Sequence, residues 1–162
     1  LESKQLRTTE DLDALLNSMQ EQINSLKESA SGKQTRIKKL DELLRMADYY
    51  QQGKPVADKL KTIRFDTFRQ KYKAEHENVL RTFYMAERKL KNQWVDGKLP
   101  VHAWRKEKSK LETEYQALQQ KIAPLYADTK KLWAIHYSIY QVQHEQERQN
   151  AVTRQKKQEI EH

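Results

Sequence analysis

The sequence contains no cysteine, and it has only three glycines and three prolines among its 162 residues. Disulfide bonds and cysteine-ligated zinc are therefore excluded. The scarcity of glycine excludes the glycine-rich loops that bind phosphates or dinucleotides. The scarcity of turn-forming residues excludes an all-β sandwich or barrel, in which turns recur every ~8–12 residues.

Long apolar runs are also lacking in the sequence, of which only 36% is hydrophobic. A membrane-spanning helix needs a run of about 18 apolar residues, so we expect no membrane partner. The lack of cysteine, and so of disulfide bonds, fits a reducing compartment, and we expect a cytoplasmic location. Leu1 stands where an initiator methionine would, and no signal-peptide pattern follows it. We therefore expect the chain to be part of a longer protein.

The sequence is instead rich in charged helix formers, with 33% Asp, Glu, Lys and Arg. Such a composition is typical of long helices. Gly53-Lys54-Pro55 and Asp96-Gly97-Lys98-Leu99-Pro100 each combine a helix-ending glycine with a proline suited to a following first turn. They predict a single helical domain over residues 1–162. Its helices should span about 9–51, 56–94 with a break near 62–66, and 101–150.

Apolar residues recur at steps of three and four in the first and third segments, as in a coiled-coil seam. The first seam is Leu12, Leu16, Met19, Ile23, Leu26, Ala30, Lys33, Ile37, Leu40, Leu44, Ala47, and the third is Trp104, Leu111, Tyr115, Leu118, Ile122, Leu125, Leu132, His136, Ile139. In the third seam, the polar residues Lys108 and Thr129 occupy the positions between Trp104 and Leu111 and between Leu125 and Leu132. Helices joined by short loops run antiparallel. The predicted fold is all-α: an elongated antiparallel three-helix bundle, partly coiled-coil, with a broken middle helix. Pro124 should kink the last helix without ending it. Homodimerisation is an alternative wherever an apolar seam extends beyond the helix that pairs with it.

Positive charge is concentrated in the middle of the chain. Residues 53–100 carry 12 basic and 6 acidic side chains, a net +6 of the formal +8. Such clusters attract phosphates. The candidate nucleic-acid-binding residues are Lys54, Lys59, Lys61, Arg64, Arg69, Lys71, Lys73, Arg105, Lys106 and Lys108. A merely solvated face explains the cluster equally well. The middle segment has its own apolar register, which is Phe65, Phe68, Tyr72, Val79, Phe83, Ala86, Leu90. Phe65, Phe68 and Tyr72 hold this register and should face the core, although they could stack on bases.

No constellation of catalytic or metal-binding residues occurs in the sequence. The five histidines lack the spacing of a metal site, and His136 on the apolar seam should be a packed, hydrogen-bonded side chain. His144 and Glu147 form a pair three residues apart, but di-iron bundles need two such pairs and further inward carboxylates. We expect no metal, no cofactor and no catalytic residue in this chain.

Several landmarks from about Thr8 onward resemble the C-terminal helical region of MobA/MobL-like mobilisation relaxases of plasmids and transposons. They are Thr9-Glu10-Asp11-Leu12, Tyr49-Tyr50, Lys54-Pro55-Val56, Phe65-Asp66-Thr67-Phe68-Arg69, Glu75-His76-Glu77, Ala86, Gly97-Lys98-Leu99-Pro100, Glu112, Leu118 and Leu125-Tyr126. The resemblance covers about 130 residues.

The resemblance implies a parent protein that nicks DNA with a tyrosine and a histidine-bound metal in another domain. None of those catalytic residues matches a position in this chain. The chain would then be a non-catalytic accessory domain that binds DNA, relaxosome proteins or coupling proteins during conjugative transfer. The alternative is a coiled-coil scaffold or dimerisation module that touches no nucleic acid.

Overall fold

The structure is a computed structural model that describes residues 9–161, with side chains described for residues 9–160. Over this range the chain forms four helices and no strand: α1 (Thr9–Thr62), α2 (Asp66–Glu75), α3 (Glu77–Lys89) and α4 (Val101–Glu161). Contacts of α1 with α3 and with α4 make an all-α helical bundle. The predicted fold class is confirmed.

The helix bounds correct the prediction in three places. Helix α1 continues through Gly53 and Pro55 to Thr62, so the predicted end near residue 51 is wrong. Gly53 lies against Phe83 of α3, and this packing keeps the stretch helical. Pro55 has no N–H to donate to the Gln51 carbonyl, but Gln51 is exposed, so that carbonyl is not left unpaired in a core. Helix α3 ends at Lys89 rather than near 94, and α4 extends through Pro124 to Glu161 rather than 150. The predicted break near 62–66 is confirmed.

Where the sequence predicted one domain, the chain divides into two compact units. Unit 1 comprises the residues up to Ala30 and those from Ala117 onward. Unit 2 comprises Ser31–Gln116. Helices α1 and α4 each contribute to both units, while α2 and α3 belong to unit 2 alone.

Unit 2 is built around α1, which packs against both α3 and α4. Its larger core cluster is Leu40, Leu43, Met46, Ala47, Ala86, Leu90 and Trp104. A second cluster joins Ala57 of α1 to Leu80 and Phe83 of α3. Ion pairs flank these clusters, linking Glu42 to Lys89 at 3.0 Å and Lys33 to Glu114 at 2.7 Å. Residue numbers fall along one helix as they rise along the other, so both helix pairs are antiparallel.

Unit 1 is an antiparallel pair formed by the first part of α1 and the last part of α4. Leu12, Leu16 and Met19 cluster with Leu132. The His136 ring nitrogen Nε2 lies 2.7 Å from Asp13 Oδ1, which confirms the prediction of a hydrogen-bonded histidine. In both units, every position of the two predicted seams is buried or half-buried. The three-and-four spacing therefore identified the faces that meet.

The connection from α3 to α4 contains a tight two-residue turn. Asp96 and Gly97 have φ angles of 50° and 75°. Val95 and Lys98 exchange two backbone hydrogen bonds of 2.8 and 3.0 Å across them. Positive φ at both central residues is typical of a type I′ turn, for which Asp-Gly is a favoured pair. The turn reverses the chain so that α4 can begin at Val101.

Candidate nucleic-acid interface

The candidate interface lies where α1 ends and α2 begins. We call residues 59–73 the α1–α2 basic segment. It contains six basic side chains and one acidic side chain, that of Asp66. The basic members are Lys59, Lys61, Arg64, Arg69, Lys71 and Lys73.

Local hydrogen bonds shape this corner. The Thr62 hydroxyl donates to the Lys59 carbonyl at 2.7 Å, which satisfies a carbonyl at the end of α1. Phe65 has an extended backbone and is the N-cap of α2, although its side chain supplies no capping hydrogen bond. Asp66 in the first turn provides a negative charge that the helix dipole favours. The new helix therefore begins one residue after an aromatic side chain.

Phe65 and Phe68 are exposed, so the prediction that they face the core is wrong. Their side chains are 70% and 63% exposed, and the two rings meet edge-to-face at a centroid distance of 6.1 Å. Ala57 is the last buried residue of α1, and α2 has no buried residue. Helix α2 therefore starts beyond the last buried residue of α1 and leaves Phe65 and Phe68 exposed to solvent.

The chain re-enters the core only after a second break, at His76. This residue is both the C-cap of α2 and the N-cap of α3, with φ −117° and ψ 25°. The break shifts the helical phase, so Leu80 is buried while Val79, expected in the core, is 38% exposed. The single register predicted for the middle segment is therefore wrong at Phe65, Phe68 and Val79, and it is confirmed at Phe83, Ala86 and Leu90, which are buried.

Tyr72 of α2 contacts Lys59 of α1 and His76, the residue between α2 and α3. Its ring lies below the Lys59 ammonium, with 5.2 Å between Nζ and the ring centroid. The other neighbour is His76, whose ring centroid is 4.2 Å away and whose Nδ1 donates to the Tyr72 carbonyl at 3.0 Å. Tyr72 is consequently half-buried, unlike the two phenylalanines. These contacts orient α2 and leave Phe65 and Phe68 exposed.

The cations of the α1–α2 basic segment are free to meet a ligand. Lys61, Arg64, Arg69, Lys71 and Lys73 are all exposed, and none forms an ion pair with another residue in the range 9–160. Lys54, the remaining candidate on α1, differs from them. Its ammonium lies 3.1 Å from Asp58, and this hydrogen bond raises the Lys54 pKa. Lys54 is thus partly neutralised within its own helix.

The second predicted patch, at the start of α4, is mostly occupied by structural ion pairs. Lys108 is half-buried and lies 2.5 Å from Asp41 and 3.7 Å from Glu112, and its hydrogen bond with Asp41 raises its pKa. Glu107 accepts two hydrogen bonds from the Arg36 guanidinium, at 2.8 and 3.1 Å. Only Arg105 and Lys106 of the candidates here are exposed. The patch mainly joins α1 to α4.

The two basic groups lie at different levels of unit 2. Trp104, next to Arg105, packs in the cluster of Leu40–Ala47. Lys59 lies a further 12 residues along α1 from Ala47, which is roughly 18 Å at the rise of an α-helix. The structure therefore does not merge the candidates into one surface. The α1–α2 basic segment is therefore the candidate site, and Lys108 is no longer a candidate because it is ion-paired with Asp41.

Metal-ligating clusters and membrane-spanning helices are both absent from the described residues. No group of three His, Asp or Glu side chains within the described part of the chain could hold a metal ion. His144 stacks on Tyr140 at 5.8 Å rather than joining a carboxylate cluster. None of the helices in the described range combines the length and apolarity needed to cross a bilayer.

Sequence reasoning located the cations but missed the exposure of the aromatic residues. The usable signal was the composition of α2, where Phe68 and Tyr72 are the large apolar residues among five charged ones. A ten-residue helix with so little to bury cannot contribute a core face. Comparison of the chain with family models, with curated proteins and with solved structures gives no match.

Proposed function

We propose that this chain is a non-catalytic nucleic-acid-binding module and that the α1–α2 basic segment is its binding surface. The resemblance to mobilisation relaxases makes DNA the expected nucleic acid. In that setting the module positions DNA, or a relaxosome or coupling protein, for a catalytic domain elsewhere in the parent protein.

One observation carries this proposal: Phe65 and Phe68 are exposed among cations that no carboxylate in the described residues pairs with. Surface phenylalanine contributes nothing to a core, and ten-residue helices are marginal without packing. Stacking of a base on an aromatic ring is worth about 1–3 kcal/mol. An exposed ring beside a cation can therefore hold a base while the cation holds the adjacent phosphate.

The electrostatics of the segment favour such a ligand. Six cations against one carboxylate produce a positive potential that raises the local concentration of phosphate groups. Each phosphate contact releases counterions, so affinity should fall steeply as salt rises, with a slope of about −0.7 per contact for single strands. Because stacking tolerates any base, we expect weak sequence preference.

The test is binding of fluorescent single- and double-stranded oligonucleotides, followed by anisotropy over a range of salt. The variant K59E/K61E/R69E/K71E should abolish binding. A matched variant, K38E/K110E/K156E/K157E, reverses four exposed lysines outside the segment and gives the same formal charge, zero instead of +8. The matched variant should keep most of the affinity. Undiminished binding after the first reversal, or equal losses in both variants, would refute the assigned site.

A scaffold or dimerisation role is the second candidate function. It is favoured by a separate observation, an exposed aromatic stripe on α4 that no described helix covers.

A further inference from the structure

Helix α4 carries a second apolar stripe besides the seam that faces α1. Trp133, Tyr137 and Tyr140 follow one another at steps of four and three residues, and they are 53%, 63% and 55% exposed. The same heptad spacing continues to Lys130 on one side and to His144 and Glu147 on the other. All six positions lie within unit 1.

The stripe lies beside the buried seam rather than on it. The seam residues Leu132, His136 and Ile139 each precede a stripe residue by one position, a rotation of about 100° around the helix. Helix α1 covers the seam through contacts such as that between Asp13 and His136. In unit 2 the third helix, α3, adds its own buried side chains, whereas unit 1 contains only parts of α1 and α4 among the described residues. The stripe is therefore left without a partner helix in the described part of the chain.

We propose that this stripe pairs with the same stripe of a second copy, with the two α4 helices antiparallel. A two-fold axis across the helices matches each residue with a different residue of the other copy, and every contact occurs twice. In the register that centres the aromatic residues, Tyr137 faces Tyr140, Trp133 faces His144, and Lys130 faces Glu147. Opposite charges thus meet at both ends, with aromatic side chains between them.

Charge complementarity selects this occupant and this orientation. A parallel pair would bring Lys130 against Lys130 and Glu147 against Glu147, which is destabilising. A nucleic acid lying along the stripe would place a phosphate beside the exposed carboxylate of Glu147, which is itself a stripe position. Only the antiparallel pairing of two copies matches the stripe along its whole length.

The area involved indicates a weak dimer. With about half of each aromatic side chain exposed, the three residues leave on the order of 400 Å² of apolar surface per copy. Two copies bury roughly twice that before polar flanks are counted, which lies below the range of stable interfaces, about 1,200–2,000 Å². We expect a reversible monomer–dimer equilibrium in the micromolar range.

Sedimentation equilibrium without nucleic acid tests the pairing independently of the proposed function. The mass should rise with concentration towards twice 19.4 kDa. The variant Y137E should remain monomeric while retaining its helical circular dichroism. A monomeric unmodified chain over the whole concentration range would overturn the proposal, and so would a dimer that Y137E leaves intact.

A charge swap tests the register. K130E sets a second carboxylate opposite Glu147, and E147K sets a second ammonium group opposite Lys130, so each should weaken the dimer roughly tenfold. The double variant K130E/E147K should restore association. A mixture of the two single variants should also associate, because the heterodimer then has opposite charges at both ends. Residues 130 and 147 are about 25 Å apart along one helix, so coupling within a chain does not produce this rescue.

Matched controls reverse one exposed charge away from the stripe. K121E makes the same charge change as K130E, and E28K makes the same change as E147K. Both should dimerise like the unmodified chain. If they weaken the dimer as much as the stripe variants, or if the double variant stays monomeric, the assigned pairing is wrong.

Discussion

Gly53 of α1 packs directly against the side chain of Phe83 in α3. A β-carbon at residue 53 would lie only 2.9 Å from Phe83 Cγ, closer than carbon atoms approach without displacement. Phe83 is 3% exposed and stacks on Tyr50, with 5.0 Å between ring centroids. The absence of a side chain at residue 53 therefore sets the distance between α1 and α3.

This contact predicts opposite effects of alanine at two helical glycines. G53A should lower the free energy of unfolding by about 1–3 kcal/mol, as overpacked cores do. G32A should raise it by about 0.5–1 kcal/mol, because nothing lies within 4 Å of its added methyl group and alanine is the better helix former. Urea denaturation followed by circular dichroism measures both. Stabilisation by G53A would show that α3 does not approach α1 as described.

Stability should fall in acid because three carboxylates are paired across helices of unit 2. Hydrogen bonds from Lys89, Arg36 and Lys33 lower the pKa values of Glu42, Glu107 and Glu114 respectively. A lowered pKa contributes stability above the unfolded value, near 4.5, and that contribution is lost as the pH falls through the folded value. Melting temperatures should therefore drop between about pH 5 and about pH 3.

The triple variant E42Q/E107Q/E114Q isolates these groups. Its melting temperature at neutral pH should lie slightly below that of the unmodified chain, since exposed pairs contribute little each. Its acid transition should be shallower. An acid transition of unchanged steepness would assign the pH dependence to other carboxylates.

The exposed phenylalanines predict a loss of binding without a loss of stability. F65A/F68A should weaken single-stranded oligonucleotide binding by about 1–3 kcal/mol for each base that stacks, while the melting temperature stays nearly constant. The control I160A truncates another exposed apolar side chain, 85% exposed, and should alter neither quantity. A substantially lower melting temperature for F65A/F68A would place these rings in a core instead.

Because the chain has no cysteine, disulfide trapping can determine the orientation of the proposed α4 pair. An equimolar mixture of K130C and E147C should oxidise mainly to the mixed dimer at concentrations where the chain associates. Each variant alone should cross-link poorly, since its cysteines lie at opposite ends of the interface. Efficient cross-linking of K130C to itself would indicate parallel helices.

The sequence predicted the buried residues best where the apolar spacing of a helix continues without interruption. Leu12 to Ala47 and Trp104 to Ile139 kept their three-and-four spacing, and these seam residues are buried or half-buried. The helix end predicted at Gly53 was wrong because this glycine packs against Phe83, thirty residues away in the sequence. The rule that a glycine followed by a proline ends a helix considers only neighbouring residues. Phe65 and Phe68 misled because hydrophobic spacing predicts a face but not whether another helix is present to cover it. The cations of the candidate site were located by composition alone, whereas the pairing of Lys108 with Asp41 needed the fold.

The antiparallel contacts of this chain close nested loops, and the innermost loop contains α2 and α3. Glu42 and Lys89 are 47 residues apart, Lys33 and Glu114 are 81 apart, and Thr9 and Gln143 are 134 apart. Closing a loop loses chain entropy that grows with loop length, and each inner contact shortens the loop left for the next. Folding should then begin with the contact between α1 and α3 and proceed to the contacts between α1 and α4. Amide hydrogens near the two ends of the described chain should exchange first, and those around Leu40 and Leu90 last.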